Sequence, residues 1–295
     1  MPVNDELGTR MKEFYEAVPK TRLVRRTPVA IRIDGKAFHT FTRGFEKPFD
    51  EVLGKAMRET MKYLCENIQG CVLGYTQSDE ITLILIDYKK LTSSAWFDYE
   101  VQKMCSIAAS MATMAFNKFF SEAVQDWYWE DPLVTNLKLP SKENLKEIYT
   151  KALDKGAMFD ARVFNIPKEE VANLIYWRQL DATRNSIQMV GQANFSHSEL
   201  QNKSCNVIQE MLFQERDINW NDFPTHLKRG SCCVKSEATT TCAKTVDGQV
   251  ITWAAERPHW EIDLEIPIFK EEGRQYINKR ILYEAEDEPK MAVIY

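Results

Sequence analysis

The chain has 295 residues, of which 44% are hydrophobic and 27% charged, a composition that can bury a core and stay soluble. Its formal net charge of -5 gives no global positive field, so a nucleic-acid partner would need a local basic patch. No apolar run approaches membrane-spanning length, and the first residues lack the basic start and apolar stretch of a signal peptide.

The first half of the chain predicts strands and helices in alternation. Residues 29–34 follow Pro28 and alternate apolar with polar side chains, as a half-buried strand does. Residues 51–68 carry apolar residues at helical spacing behind Asp50, which is a favourable N-cap. The remaining predicted elements are strands over 71–75 and 81–86, a long, largely buried helix over 94–120, and a fourth strand over 157–164.

This order is β-α-β-β-α-β, the ferredoxin-like pattern, so the predicted fold class is α+β. That topology places strands one and three side by side and antiparallel in the centre of the sheet. The end of the first strand then lies beside the start of the third. Asp34 and Asp79, about 45 residues apart in sequence, are therefore predicted neighbours.

The rest of the chain is predicted more coarsely. Residues 121–150 are polar and have the character of an insertion, and helices are expected over 167–191 and 197–213. Residues 230–270 have a β-rich pattern and residues 271–295 are charged. We expect two units: a catalytic domain with a helical extension over 1–215, and a C-terminal extension, β-rich and charged, over 216–295.

A metal site is predicted where the two acidic turns converge. Asp34 ends an apolar run in Arg32-Ile33-Asp34-Gly35-Lys36, and Asp79 precedes another in Thr76-Gln77-Ser78-Asp79-Glu80. The two carboxylates and the backbone carbonyl of Gly35 are hard oxygen ligands, which Mg²⁺ prefers. Two such ions can activate a hydroxyl and stabilise a leaving pyrophosphate. The alternative, that both segments are ordinary solvated turns, stays open from these residues alone.

Several polar residues near this site could contact a triphosphate. The loop after Asp34 can offer backbone N–H groups to phosphates, His39 can donate to a phosphate or ribose oxygen, and Lys47 can add a charge. Lys103 lies on the apolar helix and calls for an anionic partner, either a phosphate or an acid. Arg162 alternates with Asp160 on the fourth strand, so a salt bridge between them is the competing interpretation.

Basic residues in the second half could bind a nucleic-acid backbone. Arg178, Arg184, Lys203, Lys228 and Arg229 are the candidates for such a surface, and Asn185 lies in the same polar helical run. Arg22, Arg25 and Arg26 form another cluster before the first strand. Charge runs are more often solvated surfaces, so each signal is weak by itself.

The cysteines bear on compartment and on zinc. The chain has seven cysteines and no secretion signal, which indicates a reducing compartment, and we expect a cytoplasmic protein. There is no C-x-x-C pair and the four histidines are scattered, so zinc is not expected.

Taken together, the motifs resemble the tRNA-His guanylyltransferase superfamily over roughly residues 25–215. The residues that carry the resemblance are Arg32-Ile33-Asp34-Gly35 with Phe38-His39, Lys47-Pro48, Tyr75-Thr76-Gln77-Ser78-Asp79-Glu80, Phe159-Asp160-x-Arg162 and Tyr176-Trp177-Arg178-Gln179-x-Asp181. The resemblance implies a palm domain like that of template-dependent polymerases and nucleotide cyclases. It also implies addition of nucleotides to the 5′ end of a tRNA, with GTP or ATP as substrates, and a homo-tetramer.

The resemblance also implies roles for individual residues. Asp34, Gly35 and Asp79 would hold two Mg²⁺ ions, with Glu80 in support as a catalytic residue. The residues expected around the nucleoside triphosphate are Lys36, Ala37, Phe38, His39, Lys47 and Ser78, with Lys103 and Arg162 as further phosphate contacts. The tRNA contacts would come from Arg178, Arg184, Asn185, Lys203, Lys228 and Arg229.

One departure from the family pattern affects the expected substrate. Where eukaryotic His-specific enzymes carry a His-Ile-Asn-Asn-Leu-Tyr-Asn type stretch, this chain has Ala182-Thr183-Arg184-Asn185-Ser186-Ile187-Gln188. The run resembles the bacterial and archaeal guanylyltransferase-like branch, which implies template-dependent repair of truncated tRNA 5′ ends. The alternatives are a His-specific guanylyltransferase, a catalytically idle RNA-binding relative and a nucleotide cyclase.

Overall fold

The computed structural model describes residues 6–129, 141–246 and 249–282. Six strands form one sheet in the order β4-β1-β3-β2-β5-β6, and all neighbouring strands are antiparallel. Their bounds are β1 Val29–Gly35, β2 Cys71–Gln77, β3 Glu80–Leu85, β4 Phe159–Asn165, β5 Ser231–Val246 and β6 Gln249–Asp263. The predicted antiparallel pairing of the first and third strands in the sheet centre is confirmed.

Ten α-helices occur in the described residues. The longer ones are α3 (Glu51–Asn67), α4 (Val101–Trp129), α5 (Ser141–Lys155), α6 (Lys168–Asn194) and α8 (Cys205–Arg216). The short ones are α1 (Glu6–Met11), α2 (Phe38–Phe41), α7 (His197–Leu200), α9 (Thr225–Arg229) and α10 (Gln275–Ile281). Among these residues, no helix is both long and apolar enough to cross a bilayer.

The two faces of the sheet pack against different helices. Ile31 and Ile33 of β1 are fully buried in a cluster with residues of α3 and α4. Ala30 lies in the other cluster, with Ile175 of α6 and Ile277 of α10. The alternation along β1 therefore sends every second residue to each layer, and the even-numbered residues Arg32 and Asp34 continue the α6 face.

Three expectations about helices need correction. Residues 121–150 are not a simple insertion, because α4 continues to Trp129 and α5 covers 141–155; residues 130–140 lie outside the described residues. The helix expected from 94 begins only at Val101, after Phe97, Asp98 and Tyr99 adopt positive φ angles. The helix expected over 197–213 is two helices, because Ser204 starts a second one by accepting from the N–H of Val207.

The prediction of β structure over 230–270 is confirmed, and these strands extend the same sheet. The start of β5 pairs with β2, with Cys233 opposite Gly74, and β6 pairs along β5. Residue 74 has no room for a side chain, since a Cβ there would lie 2.5 Å from Sγ of Cys65. The division into units at residue 216 stays a prediction.

Asp50 ties the loop before α3 to α5. Its buried carboxylate accepts from the N–H of Leu53 at 2.8 Å and of Glu46 at 3.0 Å, and from the hydroxyl of Tyr149 at 2.7 Å. The first bond confirms the predicted N-cap. The ring of Tyr149 also contacts Phe45 edge-on, so the loop and α5 share one packed unit.

We predict that Tyr149→Phe lowers the free energy of unfolding by about 1–2 kcal/mol, because the aromatic packing stays while a bond to a buried carboxylate is lost. Urea denaturation measures the effect. Tyr15→Phe is the matched control, since Tyr15 is 66% exposed and should change nothing measurable. Equal midpoints for the two variants would show that the Tyr149 hydroxyl is dispensable.

Candidate active site

Asp34 and Asp79 meet at one edge of the sheet, as the topology predicts. Asp34 lies directly opposite Glu80 in the β1–β3 register, and the N–H of Gly35 donates to the carbonyl of Asp79 at 3.1 Å. Ser78, with φ of 50°, turns β2 into β3 within two residues. The tight turn holds the Asp79 backbone against the end of β1.

The electrostatics of this pair call for a positive ligand. Burial, followed by the negative charges of Glu80 and Asp160, raises the pKa of Asp34 above its ordinary value. Burial and the charge of Asp34 likewise raise the pKa of Asp79. Both groups are thus held where their ionised forms are disfavoured, which a bound cation would reverse.

The donor set fits Mg²⁺ better than a metal held by side chains alone. In the part of the chain that the structure describes, no group of three or more His, Cys, Asp or Glu side chains could hold a metal ion. Two carboxylates plus backbone and phosphate oxygens are a sufficient set for Mg²⁺, which usually keeps waters and shares substrate phosphates. Asp34 and Asp79 are the residues that could hold it.

Glu80 has a different position from the other two acids. One carboxylate oxygen accepts from Nε of Arg178 at 2.7 Å and the other from Arg32 at 2.8 Å. Its side chain is 6% exposed and that of Arg178 is 8% exposed. Glu80 therefore has a fixed, charge-neutralised position that joins α6 to the sheet, and its catalytic role stays a prediction.

A cleft of about 540 Å³ opens beside the acidic pair. The residues expected around a triphosphate that line it are Ala37, Phe38, His39, Lys47 and Ser78, together with Gly35 and Asp79. Its far wall is formed by Met189 and Gln192 of α6, which the sequence did not single out. The size and the polar lining suit a nucleotide.

Phe38 and Gly35 build the floor of this cleft. Phe38 is only 4% exposed and its ring packs against Phe116 and Phe159, so it is mainly a core residue. A Cβ on residue 35 would lie 2.2 Å from that ring. Glycine is therefore required at position 35 to let the ring pass beneath the end of β1.

Two predicted phosphate contacts have other positions. Lys36 is exposed and lies outside the cleft lining, while its backbone N–H donates to Met158 at 2.8 Å. Lys103 is exposed rather than on a buried helix face, with Nζ 5.2 Å from the ring centroid of Phe97. The expectation that Lys103 lies on a buried helix face is therefore wrong, and its contact with a phosphate stays a prediction.

Lys103 also lies toward the opposite end of the sheet. Asn117, on the same helix, bonds to Ala157 just before the strand end that lies beside Gly35. Lys103 is almost four turns earlier in α4, or about 21 Å along the helix axis. The structure does not bring it to the acidic pair.

Arg162 remains near the site. It forms a 3.5 Å ion pair with Asp160, both side chains being more than half exposed, as the competing interpretation predicted. The positive charge of Arg162 still lowers the pKa of Asp34 against the larger upward effects. A role at the edge of the site is compatible with this position.

The residues expected to contact tRNA divide into two groups. Arg178 and Lys228 are buried: the first holds Glu80 and Asp181, and Nζ of the second donates to the carbonyl of Asn221. They do not present their charges to a partner. Arg184 and Lys203 are exposed, and Asn185 and Arg229 are half-buried.

A smaller cavity adjoins the cleft of about 540 Å³. It has a volume of about 120 Å³ and shares Asp50, Leu53, Ser78 and Met189 with the cleft. Its lining adds Asn185 and His226, whose buried Nδ1 has no hydrogen-bond partner in the described residues. Sequence reasoning missed His226, because a single histidine before a basic run carries no distinguishing pattern.

Comparisons with known proteins agree with this fold. Residues 8–167 match the sequence pattern of the tRNAHis guanylyltransferase family. A bacterial tRNA(His) guanylyltransferase-like protein in complex with ATP has a TM-score of 0.72 and 39% identity, covering 94% of this chain and 99% of that chain. A second such structure, in complex with GTP, has a TM-score of 0.71 and 36% identity, covering 95% and 100%.

Curated sequences extend the comparison to viruses and eukaryotes. An uncharacterized protein of Acanthamoeba polyphaga mimivirus is 31% identical over 77% of this chain and 76% of its own length. The tRNA(His) guanylyltransferase of Saccharomyces cerevisiae is 27% identical over 69% and 80%. The chain belongs to the tRNAHis guanylyltransferase family, and the resemblance seen in the sequence is confirmed. It is therefore a member of a transferase family.

The raised pKa of Asp79 predicts a stability effect. A carboxyl whose pKa is higher in the folded than in the unfolded state destabilises the fold when ionised, so the penalty is full above the raised pKa and absent below the ordinary value of 3.8. In EDTA near pH 7.5, we expect Asp79→Asn to melt about 1–3 °C above the parent chain. The difference in melting temperature between the variant and the parent chain should narrow as the pH falls.

If Asp34 and Asp79 bind Mg²⁺, magnesium should reverse the order of these melting temperatures, because it would stabilise the folded parent chain and not the variant. Asp126→Asn is the control, since Asp126 is an exposed acid paired with Lys55. A variant that melts well below the parent in EDTA would contradict the assigned electrostatics.

A second prediction concerns the buried Glu80–Arg178 pair. We expect Arg178→Met to cost about 2–4 kcal/mol, because it leaves a buried carboxylate with Arg32 as its one remaining cation. In the double variant Glu80→Gln/Arg178→Met, part of that loss should be recovered, because a neutral amide no longer needs the cation that Arg178 supplied and its carbonyl can still accept from Arg32. Urea denaturation of Glu80→Gln, Arg178→Met and the double variant measures the coupling energy between the two side chains. A loss in the double variant equal to the sum of the two single losses would refute the coupling.

Proposed function

We propose that this chain is a Mg²⁺-dependent nucleotidyltransferase that adds nucleotides to the 5′ end of a tRNA, in the 3′-to-5′ direction. The observation that carries the proposal is the convergence of Asp34 and Asp79 beside a cleft of nucleotide size. Bound ATP and GTP in the two bacterial relatives support a nucleoside triphosphate as the ligand of that cleft. Family membership supports tRNA as the acceptor.

The proposed reaction joins the 3′-hydroxyl of an incoming nucleotide to an activated 5′ phosphate of the RNA, with pyrophosphate or AMP as the leaving group. Held by Asp34 and Asp79, Mg²⁺ would supply Lewis-acid activation of the hydroxyl and neutralise charge on the leaving group. His39 and Lys47, on the cleft wall, are placed to donate to the triphosphate. Glu80, locked between two arginines, keeps the ends of β1 and β3 aligned.

The palm domain belongs to the same proposal. The four strands β4-β1-β3-β2, with α3 and α4 on one face, have the β-α-β-β-α-β order of that architecture. A nucleotide cyclase would share the acidic pair, and formation of a cyclic nucleotide without RNA would identify one. The family match supports transfer to RNA over cyclisation.

The preferred substrate is a tRNA lacking its first 5′ nucleotide, with the added base chosen by pairing. The structural support is the run Ala182–Gln188, which departs from the His-specific pattern and lies on α6 beside both cavities, with Asn185 and Ser186 in the lining of the smaller one. Base pairing would then supply selectivity while the protein holds backbone and shape. His-specific guanylyl transfer is the second candidate, supported by the yeast relative.

The test is an end-addition assay with Mg²⁺, each of the four labelled triphosphates, and a tRNA that lacks its first nucleotide. We expect the added nucleotide to follow the opposing base as that base is varied. Addition of G alone, only to tRNA-His and regardless of the opposing base, would instead establish the His-specific activity. Binding of tRNA without any addition would support the idle relative.

Asp34→Ala and Asp79→Ala should reduce addition by at least about 10³-fold, because loss of a metal-binding carboxylate removes most transition-state stabilisation. Binding of tRNA, measured separately, should remain. Asp126→Ala is the matched control, since Asp126 is an exposed acid that is paired with Lys55 and is not assigned to metal. Normal turnover in either metal variant would sink the two-carboxylate assignment.

A further inference from the structure

A second cleft, of about 760 Å³, lies at the opposite end of the sheet. It is formed where β2 begins, at Gly70 and Cys71, and where β3 has ended, at Ile86. β3 starts beside Asp34 and runs six residues at about 3.3 Å each, so the cleft lies roughly 20 Å from the acidic pair. It shares no lining residue with the nucleotide cleft.

The lining of this second cleft is strongly basic. It contains the five cationic residues Lys89, Lys90, Lys235, Lys279 and Arg280, and no Asp or Glu is among its described lining residues. The four lysines are exposed. The whole chain has a net charge of -5, so these cations create a local positive potential that the overall charge does not explain.

The cations come from three separate parts of the fold and are held in place by neighbours. Nζ of Lys235 on β5 lies 5.0 Å from the ring centroid of Trp260, and Nζ of Lys279 on α10 lies 5.6 Å from that of Tyr276. Among the side chains that the structure describes, which exclude those of residues 237–257, no carboxylate forms an ion pair with Lys235 or Lys279. Their charges therefore remain available to an anion.

Hydroxyl groups complete the lining, but aromatic rings do not take part. Thr92, Ser93, Ser94 and Ser236 contribute hydroxyls, and no Phe, Tyr or Trp occurs among the described lining residues. A mononucleotide site or a single-strand site uses rings to stack bases. Cations and hydroxyls without rings instead match the way proteins bind phosphodiester groups, which positions a nucleic acid without reading its sequence.

We propose that this basic cleft binds phosphate groups of an RNA backbone. The inference rests on the proposed function in one respect: the RNA is the tRNA whose 5′ end lies at Asp34 and Asp79. Contacts at both ends of the sheet, roughly 20 Å apart, fix the direction of the bound RNA and so present its 5′ end to the nucleotide cleft.

The experiment measures the affinity of the full chain for fluorescently labelled tRNA by anisotropy, in EDTA and without nucleotide, over a range of salt. We expect Lys235→Gln/Lys279→Gln to weaken binding roughly 10- to 30-fold at 0.1 M salt, and to reduce the slope of log affinity against log salt by about 1.5. Affinity for GTP should stay unchanged, because the nucleotide cleft is separate.

The matched control is Lys118→Gln/Lys151→Gln, which removes two charges whose side chains are 66% and 72% exposed outside the cleft. Equal tRNA affinity and salt slope for the two double variants, with melting temperatures like the parent, would overturn the proposal. The proposal would also be overturned if Lys235→Gln/Lys279→Gln lost binding to inorganic tripolyphosphate but kept the parent affinity for tRNA. That result would assign the cleft to a free polyphosphate.

The readout separates this inference from the proposed function. If the chain adds no nucleotide to any tRNA while the cleft variant still binds tRNA more weakly, the cleft assignment stands and the catalytic proposal fails. If addition proceeds and tRNA affinity is unaffected by the cleft variant, the catalytic proposal stands and the cleft assignment fails.

Discussion

The backbone pairing of β1 with β3 is the constraint on which the site depends. Its register places Asp34 opposite Glu80 and lets the N–H of Gly35 reach the carbonyl of Asp79. Because side chains alternate, a slip of one residue would turn Asp34 toward the layer of Ile31 and Ile33 and turn those two residues toward the α6 face. The apolar core beneath α3 and α4 therefore sets the geometry of the acidic pair, and the pair adds no stability of its own.

Acids that lie together at one edge of the sheet repel one another, and the structure neutralises them to different extents. Asp34, Glu80 and Asp160 are adjacent in the register of β1, β3 and β4. Two arginines neutralise Glu80, whereas Asp34 and Asp79 keep raised pKa values. Glu80 thus helps to hold α6 on the sheet. A bound cation would stabilise the ionised forms of Asp34 and Asp79, which have no such pair of arginines. Sites that bind or react commonly carry such local instability.

The sequence predicted the topology and the acidic pair because both depend on short-range patterns: strand alternation, helical spacing and element order. It could not predict which side of a long helix faces inward. Trp177 is 52% exposed while the adjacent Arg178 is buried on Glu80, and no pattern over 168–194 distinguishes the two before α6 is packed. The burial of Lys228 and the exposure of Lys103 were not predicted for the same reason. The clefts depend on residues from distant segments, so His226 and Lys279 carried no local signal.

The acidic pair and the basic cleft lie at opposite ends of the central strands. Carboxylates gather where β1 ends and β3 begins, and lysines gather beyond the other end of β2 and β3. A polyanion approaching the acidic end without cations would be repelled, so under the proposed function RNA would bind productively only when the distant basic residues and a bound metal both act on it. A net negative charge is then compatible with RNA binding, because it leaves the rest of the surface unfavourable and restricts contact to one orientation.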